Sequence, residues 1–61
     1  MYIINNKGEI FNTDCATWIT SDNSYVFAVF GNTQRTISYS PKALKTITDA
    51  LKRGDAVVEV D

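Results

Sequence analysis

Tyr25-Val26-Phe27-Ala28-Val29-Phe30 is six apolar residues in a row, in a chain with one helical segment. Successive strand side chains point to opposite faces of a sheet, so a strand of this composition needs apolar cover on both sides. One helix covers one face of a small sheet. The other face then calls for a partner.

The helix is the clearest local feature. Ser40 is a preferred N-cap residue, and Pro41 at the first helical position gives up no hydrogen bond that the helix needs. Ala43, Leu44, Ile47, Ala50 and Leu51 recur at helical spacing and form one apolar stripe. Lys52 and Arg53 suit the negative end of the helix dipole, and Gly54 follows as the terminating residue. The pattern predicts a helix over 41–53.

Turn residues cut the preceding chain into four β-like segments. These are Met1 to Asn5, Glu9 to Thr20 with a bulge or bend at Asn12-Thr13-Asp14, Tyr25 to Phe30, and Thr33 to Tyr39. Gly31-Asn32 suits a two-residue hairpin loop with glycine first. After the helix, Ala56 to Val60 alternates as a fifth strand. The fold expected is α+β, an antiparallel β-sheet in the order β-β-β-β-α-β with one helix on one face. Counting directions sets the last strand antiparallel to the first and beside it, with exchange of that strand between copies as the alternative.

Loop lengths predict which residues share a face. A four-residue loop at 21–24 sets Thr20 opposite Tyr25, Trp18 opposite Phe27 and Cys15 opposite Phe30. The Gly31-Asn32 loop sets Val26 opposite Ile37 and Phe27 opposite Thr36. One face then collects Cys15, Ile19, Val26, Ala28, Phe30 and Ile37, joined by Ile3 and Phe11, as the seat for Leu44, Ile47 and Leu51. The opposite face collects Trp18, Tyr25, Phe27 and Val29, bordered by Thr20, Gln34, Thr36 and Ser38 and extended by Tyr2, Ile4 and Ile10. An aromatic centre with a hydroxyl and amide rim has the make-up of an interface. Soluble oligomers are mostly built from identical copies, so a homodimer is the expected assembly.

Composition narrows the rest. The chain has 61 residues, read as one domain over 1–61, with 44% hydrophobic and 21% charged residues, which marks an ordered globular chain. The net charge of −1 draws it neither to nucleic acid nor to a membrane surface. No apolar stretch approaches the roughly 18 residues of a membrane span, and the first residues lack a signal-peptide layout. A lone cysteine, Cys15, forms no internal disulfide and fits a reducing compartment. A complete cytoplasmic protein is the expectation.

Chemistry-bearing residues are sparse. Histidine is absent, which removes the commonest general base and metal ligand, and one cysteine builds no zinc site. The three glycines stand apart and form no phosphate loop. Asp55, Glu59 and Asp61 share one side of the last strand, which reads better as a solvated edge than as a cation site. Cys15, beside Asp14, reads as a buried small hydrophobe rather than a reactive thiol. Neither enzyme activity, cofactor nor metal is expected. Lys42, Lys45, Lys52 and Arg53 make residues 41–53 sum to +3 and the remainder to −4. That asymmetry is a candidate anion-binding face, but Asp49 falls in the middle of the basic arc, within reach of Lys45 and Lys52.

The opening Met-Tyr-Ile-Ile-Asn-Asn-Lys-Gly-Glu-Ile-Phe-Asn resembles the starts of small uncharacterised proteins of Gram-positive bacteria and their phages. The resemblance covers about a fifth of the chain and carries no functional residue. It implies a phage or mobile-element protein that binds or blocks a host component. The function expected is therefore a non-enzymatic interaction protein that self-associates through Trp18, Tyr25, Phe27 and Val29 and inhibits or sequesters a partner protein, with a phage anti-defence role as one form of this. The alternatives are nucleic-acid binding through the basic helix face, and an oligomer that holds a small ligand such as a nucleotide at its seam.

Overall fold

Asn12, Thr13 and Asp14 decide the architecture. In the computed structural model, which describes residues 1–61, the Asn12 side chain accepts a hydrogen bond from the Asp14 amide at 3.0 Å and starts a short 3₁₀ turn at Thr13–Cys15. The long second segment is thereby broken in two. β1 (Tyr2–Ile4) and β2 (Ile10–Asn12) precede the turn; β3 (Trp18–Asp22), β4 (Tyr25–Phe30) and β5 (Thr33–Ser38) follow it. The helix α1 (Ala43–Arg53) and β6 (Val57–Glu59) complete the chain. The class is α+β as expected, but the strands form two three-stranded sheets, β2-β1-β6 and β3-β4-β5.

β6 lies beside β1, where the sequence places it, yet runs parallel to it, with Tyr2 opposite Val57 and Ile4 opposite Glu59. Direction counting assumes one continuous sheet. Once the 3₁₀ turn moves the chain to a second sheet, alternation no longer carries across the break. The pairing is extended at both ends by Tyr2 N–H to the Ala56 carbonyl at 2.8 Å and Val60 N–H to the Ile4 carbonyl at 2.9 Å.

In the second sheet the loop between β3 and β4 has two residues rather than four. Asp22 pairs with Tyr25, Thr20 with Phe27 and Trp18 with Val29. The shift from the expected register is two residues, and an even shift leaves every side chain on its face. Gly31 makes the next loop possible with φ of +61°, a conformation that glycine adopts without steric cost. Phe27 pairs with Thr36 as expected, but a bulge between Val26 and Phe27 sets Val26 opposite Ser38 instead of Ile37. The extra residue buries both Ile37 and Ser38, so Ser38 leaves the aromatic face and donates its hydroxyl to the Asp61 carbonyl.

The core joins both sheets and the helix. Ile3 and Val58 come from the first sheet, Val26, Ala28 and Ile37 from the second, and Ala43, Ile47 and Ala50 from the helix. Phe11, Ile19, Phe30 and Leu44 pack against this cluster while half-buried. The inner face of β4 is thus covered by the first sheet together with the helix, not by the helix alone. Two expected core members fall outside it. Cys15 is exposed because it ends the 3₁₀ turn rather than lying in a strand, and Leu51 is 54% exposed because Ala50 takes the inward position. The helix begins at Ala43 rather than Pro41, and Ser40 does not cap it: Pro41 and Lys42 form a turn before it, closed by Ala43 N–H to the Ser40 carbonyl at 3.1 Å.

Asn5, at the end of β1, is buried and spends its whole amide. Its Nδ2 donates to the Ile37 carbonyl at 2.8 Å and to Glu9 Oε1 at 2.9 Å, while its Oδ1 accepts from the amides of Lys7 at 3.1 Å and Glu9 at 2.9 Å. It shapes the β1–β2 turn and ties the two sheets together. Replacing it by alanine leaves the buried Ile37 carbonyl without this partner, at a cost of about 1–3 kcal/mol. Urea unfolding of Asn5→Ala is expected to show that loss, and Asn5→Asp a comparable or larger one, since a carboxylate would then face the Ile37 carbonyl and Glu9.

Candidate functional site

Three strands in register build the outer face of the second sheet. Trp18, Val29 and Gln34 lie in one row across it, and Thr20, Phe27 and Thr36 in the next. Asp22 and Tyr25 make the third. The four residues expected to share this face do so, although Trp18 lies across from Val29 and diagonal to Phe27. Val29, Phe27 and Tyr25 belong to the central strand and are half-buried by their neighbours. Trp18, on the edge strand, is 63% exposed.

Tyr39 joins this patch, and the sequence reading gave it no place there. Its ring lies 6.3 Å from that of Tyr25, which in turn lies 5.5 Å from Phe27, both at tilted angles that suit aromatic pairs. Lys7 approaches the Tyr39 ring at 5.5 Å, a cation–π distance. The bulge at Val26/Phe27 accounts for the omission. It shifts the end of β5 by one residue, which a face count along an unbroken strand does not anticipate.

Tyr2, Ile4 and Ile10 do not extend this face. They lie on the outer side of the first sheet, where Tyr2 pairs with Val57 and Ile4 with Ile10. The break at Thr13–Cys15 separates the two groups. At fractional exposures of 63% and 68%, Trp18 and Tyr39 leave roughly 250–300 Å² of residue surface in water, before Phe27, Tyr25 and Val29 are counted. This reaches the range of about 300–600 Å² found for the largest apolar patches on monomeric proteins.

The basic helix face is largely self-satisfied. Lys45 Nζ holds Asp49 Oδ2 at 2.9 Å, one turn on. Arg53 donates from Nε at 3.1 Å and Nη2 at 2.8 Å to Asp55 Oδ2. The hydrogen bond from Lys45 holds the Asp49 carboxyl below its ordinary value, and the bond to Asp55 pushes the Arg53 guanidinium up. Lys42 and Lys52 form no ion pair. Two of the four cations are thus already held by carboxylates of the chain. Asp55, Glu59 and Asp61 do not gather either: no three acidic or cysteine side chains lie close enough to hold a metal ion. No helix is long and apolar enough to cross a membrane.

A second feature lies between the sheets. β2 and β5 border a cleft of about 450 Å³ lined by Glu9, Ile10, Phe11, Asn12, Phe30, Thr33 and Arg35. The rings of Phe11 and Phe30 stack across it, 6.4 Å apart and 16° from parallel. No protein-family profile matches the chain, and neither a curated protein nor a solved structure does.

The Lys45–Asp49 pair gives a pH test with a definite sign. A carboxyl whose folded pKa is depressed adds stability above its unfolded value, and that contribution is lost as pH falls through the folded value. The difference in urea midpoint between the wild type and Asp49→Asn is expected to be flat near neutral pH and to shrink as pH falls toward and below 3.8.

Proposed function

We propose that this chain is a non-enzymatic interaction module that self-associates through the outer aromatic face of β3-β4-β5 and in that form binds a partner protein. The observation that carries the reading is the set of aromatic side chains on this face, Phe27, Tyr25 and Tyr39 in ring contact and Trp18 diagonal to Phe27, half-buried to largely exposed. A standard interface covers roughly 800 Å² per partner, about a fifth of the 4111 Å² surface of this chain. Thr20, Gln34 and Thr36 border the rings with hydroxyls and an amide, as interface rims do. Aromatic anchors dominate such contacts, and Trp18 is the most exposed ring of the strands. The basic helix face supports nucleic-acid binding less well, because Lys45 and Arg53 are already held by Asp49 and Asp55.

Trp18 is the single tryptophan, so it reports on its own burial. Raising the concentration from micromolar to millimolar is expected to shift its emission to the blue while light scattering detects a dimer. In sedimentation equilibrium of the wild type and Trp18→Ala, the substitution should weaken the dimer by about 30-fold or more, the equivalent of roughly 2 kcal/mol. The thermal midpoint of the dilute monomer should barely move, since the ring lies outside the core. A monodisperse wild-type monomer at millimolar concentration would falsify self-association.

A further inference from the structure

We propose that the free edge of β5, with the cleft beneath it, accepts an extended segment of a partner protein carrying a carboxylate side chain, by strand addition. The two-residue Gly31-Asn32 loop makes Phe30 and Thr33 the hydrogen-bonded closing pair, so Arg35 also exchanges its main-chain bonds with β4. Gln34 and Thr36 then point their N–H and C=O groups outward, away from the sheet. Nothing covers this part of the strand: Thr33, Gln34 and Arg35 are exposed. The edge closes only beyond it, where Asn5 Nδ2 bonds the Ile37 carbonyl.

Arg35 determines which strand fits. It pairs with buried Ala28 and shares its face, so its side chain extends on the inner side, into the cleft beside Phe11 and Phe30. It forms neither an ion pair nor a side-chain hydrogen bond within the chain, and Glu9, the carboxylate lining the same cleft, is engaged through Oε1 by Asn5. A second copy of β5 is a poor occupant. Antiparallel pairing at full overlap bonds Gln34 to Thr36 of the other copy and sets Arg35 directly opposite Arg35, and like charges so placed repel. An incoming carboxylate at that position meets the guanidinium with two parallel hydrogen bonds. Two residues further along, an inward β-branched side chain lies over the Phe11–Phe30 pair.

The other edges fit less well. β3 does not line the cleft. It also starts at an irregularity, since Thr17 N–H bonds the Val29 carbonyl although Trp18 is the residue opposite Val29. β2 borders the same cleft but has only three residues before the 3₁₀ turn. This proposal deepens the interaction-module reading on a surface separate from the aromatic face, and each can fail alone.

The probe is a blocked pentapeptide, threonine–glutamate–threonine–valine–threonine, with a twin in which lysine replaces glutamate, titrated to millimolar concentration against the isotope-labelled chain. The glutamate peptide should shift the Gln34 and Thr36 amide resonances and slow their exchange with solvent, and should bind roughly fivefold tighter than its twin. Arg35→Glu should invert that preference. Gln34→Pro, which removes an outward N–H while leaving the bonds to β4, should abolish the shifts. In Trp18→Ala they should persist whatever becomes of the dimer. Unchanged Gln34 and Thr36 amides, or equal binding of the two peptides, overturns the proposal; if Gln34→Pro fails to fold, the Arg35→Glu inversion decides.

Discussion

The buried amide of Asn5 holds the arrangement together. The two three-stranded sheets and the helix share one core, to which each contributes buried side chains. Asn5 is where one sheet is bonded to the other by a side chain, through the Ile37 carbonyl. The same amide fixes the β1–β2 turn through the Lys7 and Glu9 N–H groups. Ser38 completes the join from the other side by bonding the Asp61 carbonyl at the end of the chain. A polar bridge of this kind is directional where apolar contact is not.

Legibility in the sequence followed the range of the interactions involved. The helix, its glycine stop and the Gly31-Asn32 hairpin depend on residues a few positions apart, and all were readable. So were the faces of β3 and β4, because the misjudged loop at 21–24 shifted the register by an even number. The split into two sheets was not readable. Asn12-Thr13-Asp14 was recognisable as a bend, but whether a bend merely kinks a strand or sends it to another sheet depends on what the far ends pack against. Here Thr13 is anchored on Met1, its N–H at 2.9 Å and hydroxyl at 2.8 Å from that carbonyl. That anchoring pulls the turn toward the first sheet. The parallel course of β6 and the exposure of Cys15 both follow from this single step.

The candidate site shows the same division. Trp18, Tyr25, Phe27 and Val29 were identified together because alternation along paired strands is a local rule. Tyr39 was missed because a one-residue bulge reverses that rule at the end of β5, and nothing in the composition of Thr36-Ile37-Ser38 marks the bulge. The expected extension through Tyr2, Ile4 and Ile10 failed for the reason that the sheets divide. Apolar residues on strands of different sheets share no face, however well their spacing matches.

The aromatic face and the β5 edge make compatible demands on one small sheet. A face-to-face pairing stacks sheets about 10 Å apart and leaves main-chain groups in the plane of each sheet untouched. Strand addition works within that plane. Gln34 and Thr36 lie at the junction of the two surfaces: their side chains border the aromatic rows while their main-chain groups face outward along the edge. A dimer formed on the aromatic face would therefore present two β5 edges, each with its own Arg35, and burying the Gln34 and Thr36 side chains would stiffen the strand on which an incoming segment pairs. Ordering an edge in advance lowers the entropy lost when a second chain adds to it. Assembly through the rings and capture of an acidic strand would then reinforce each other, with β5 as the shared element.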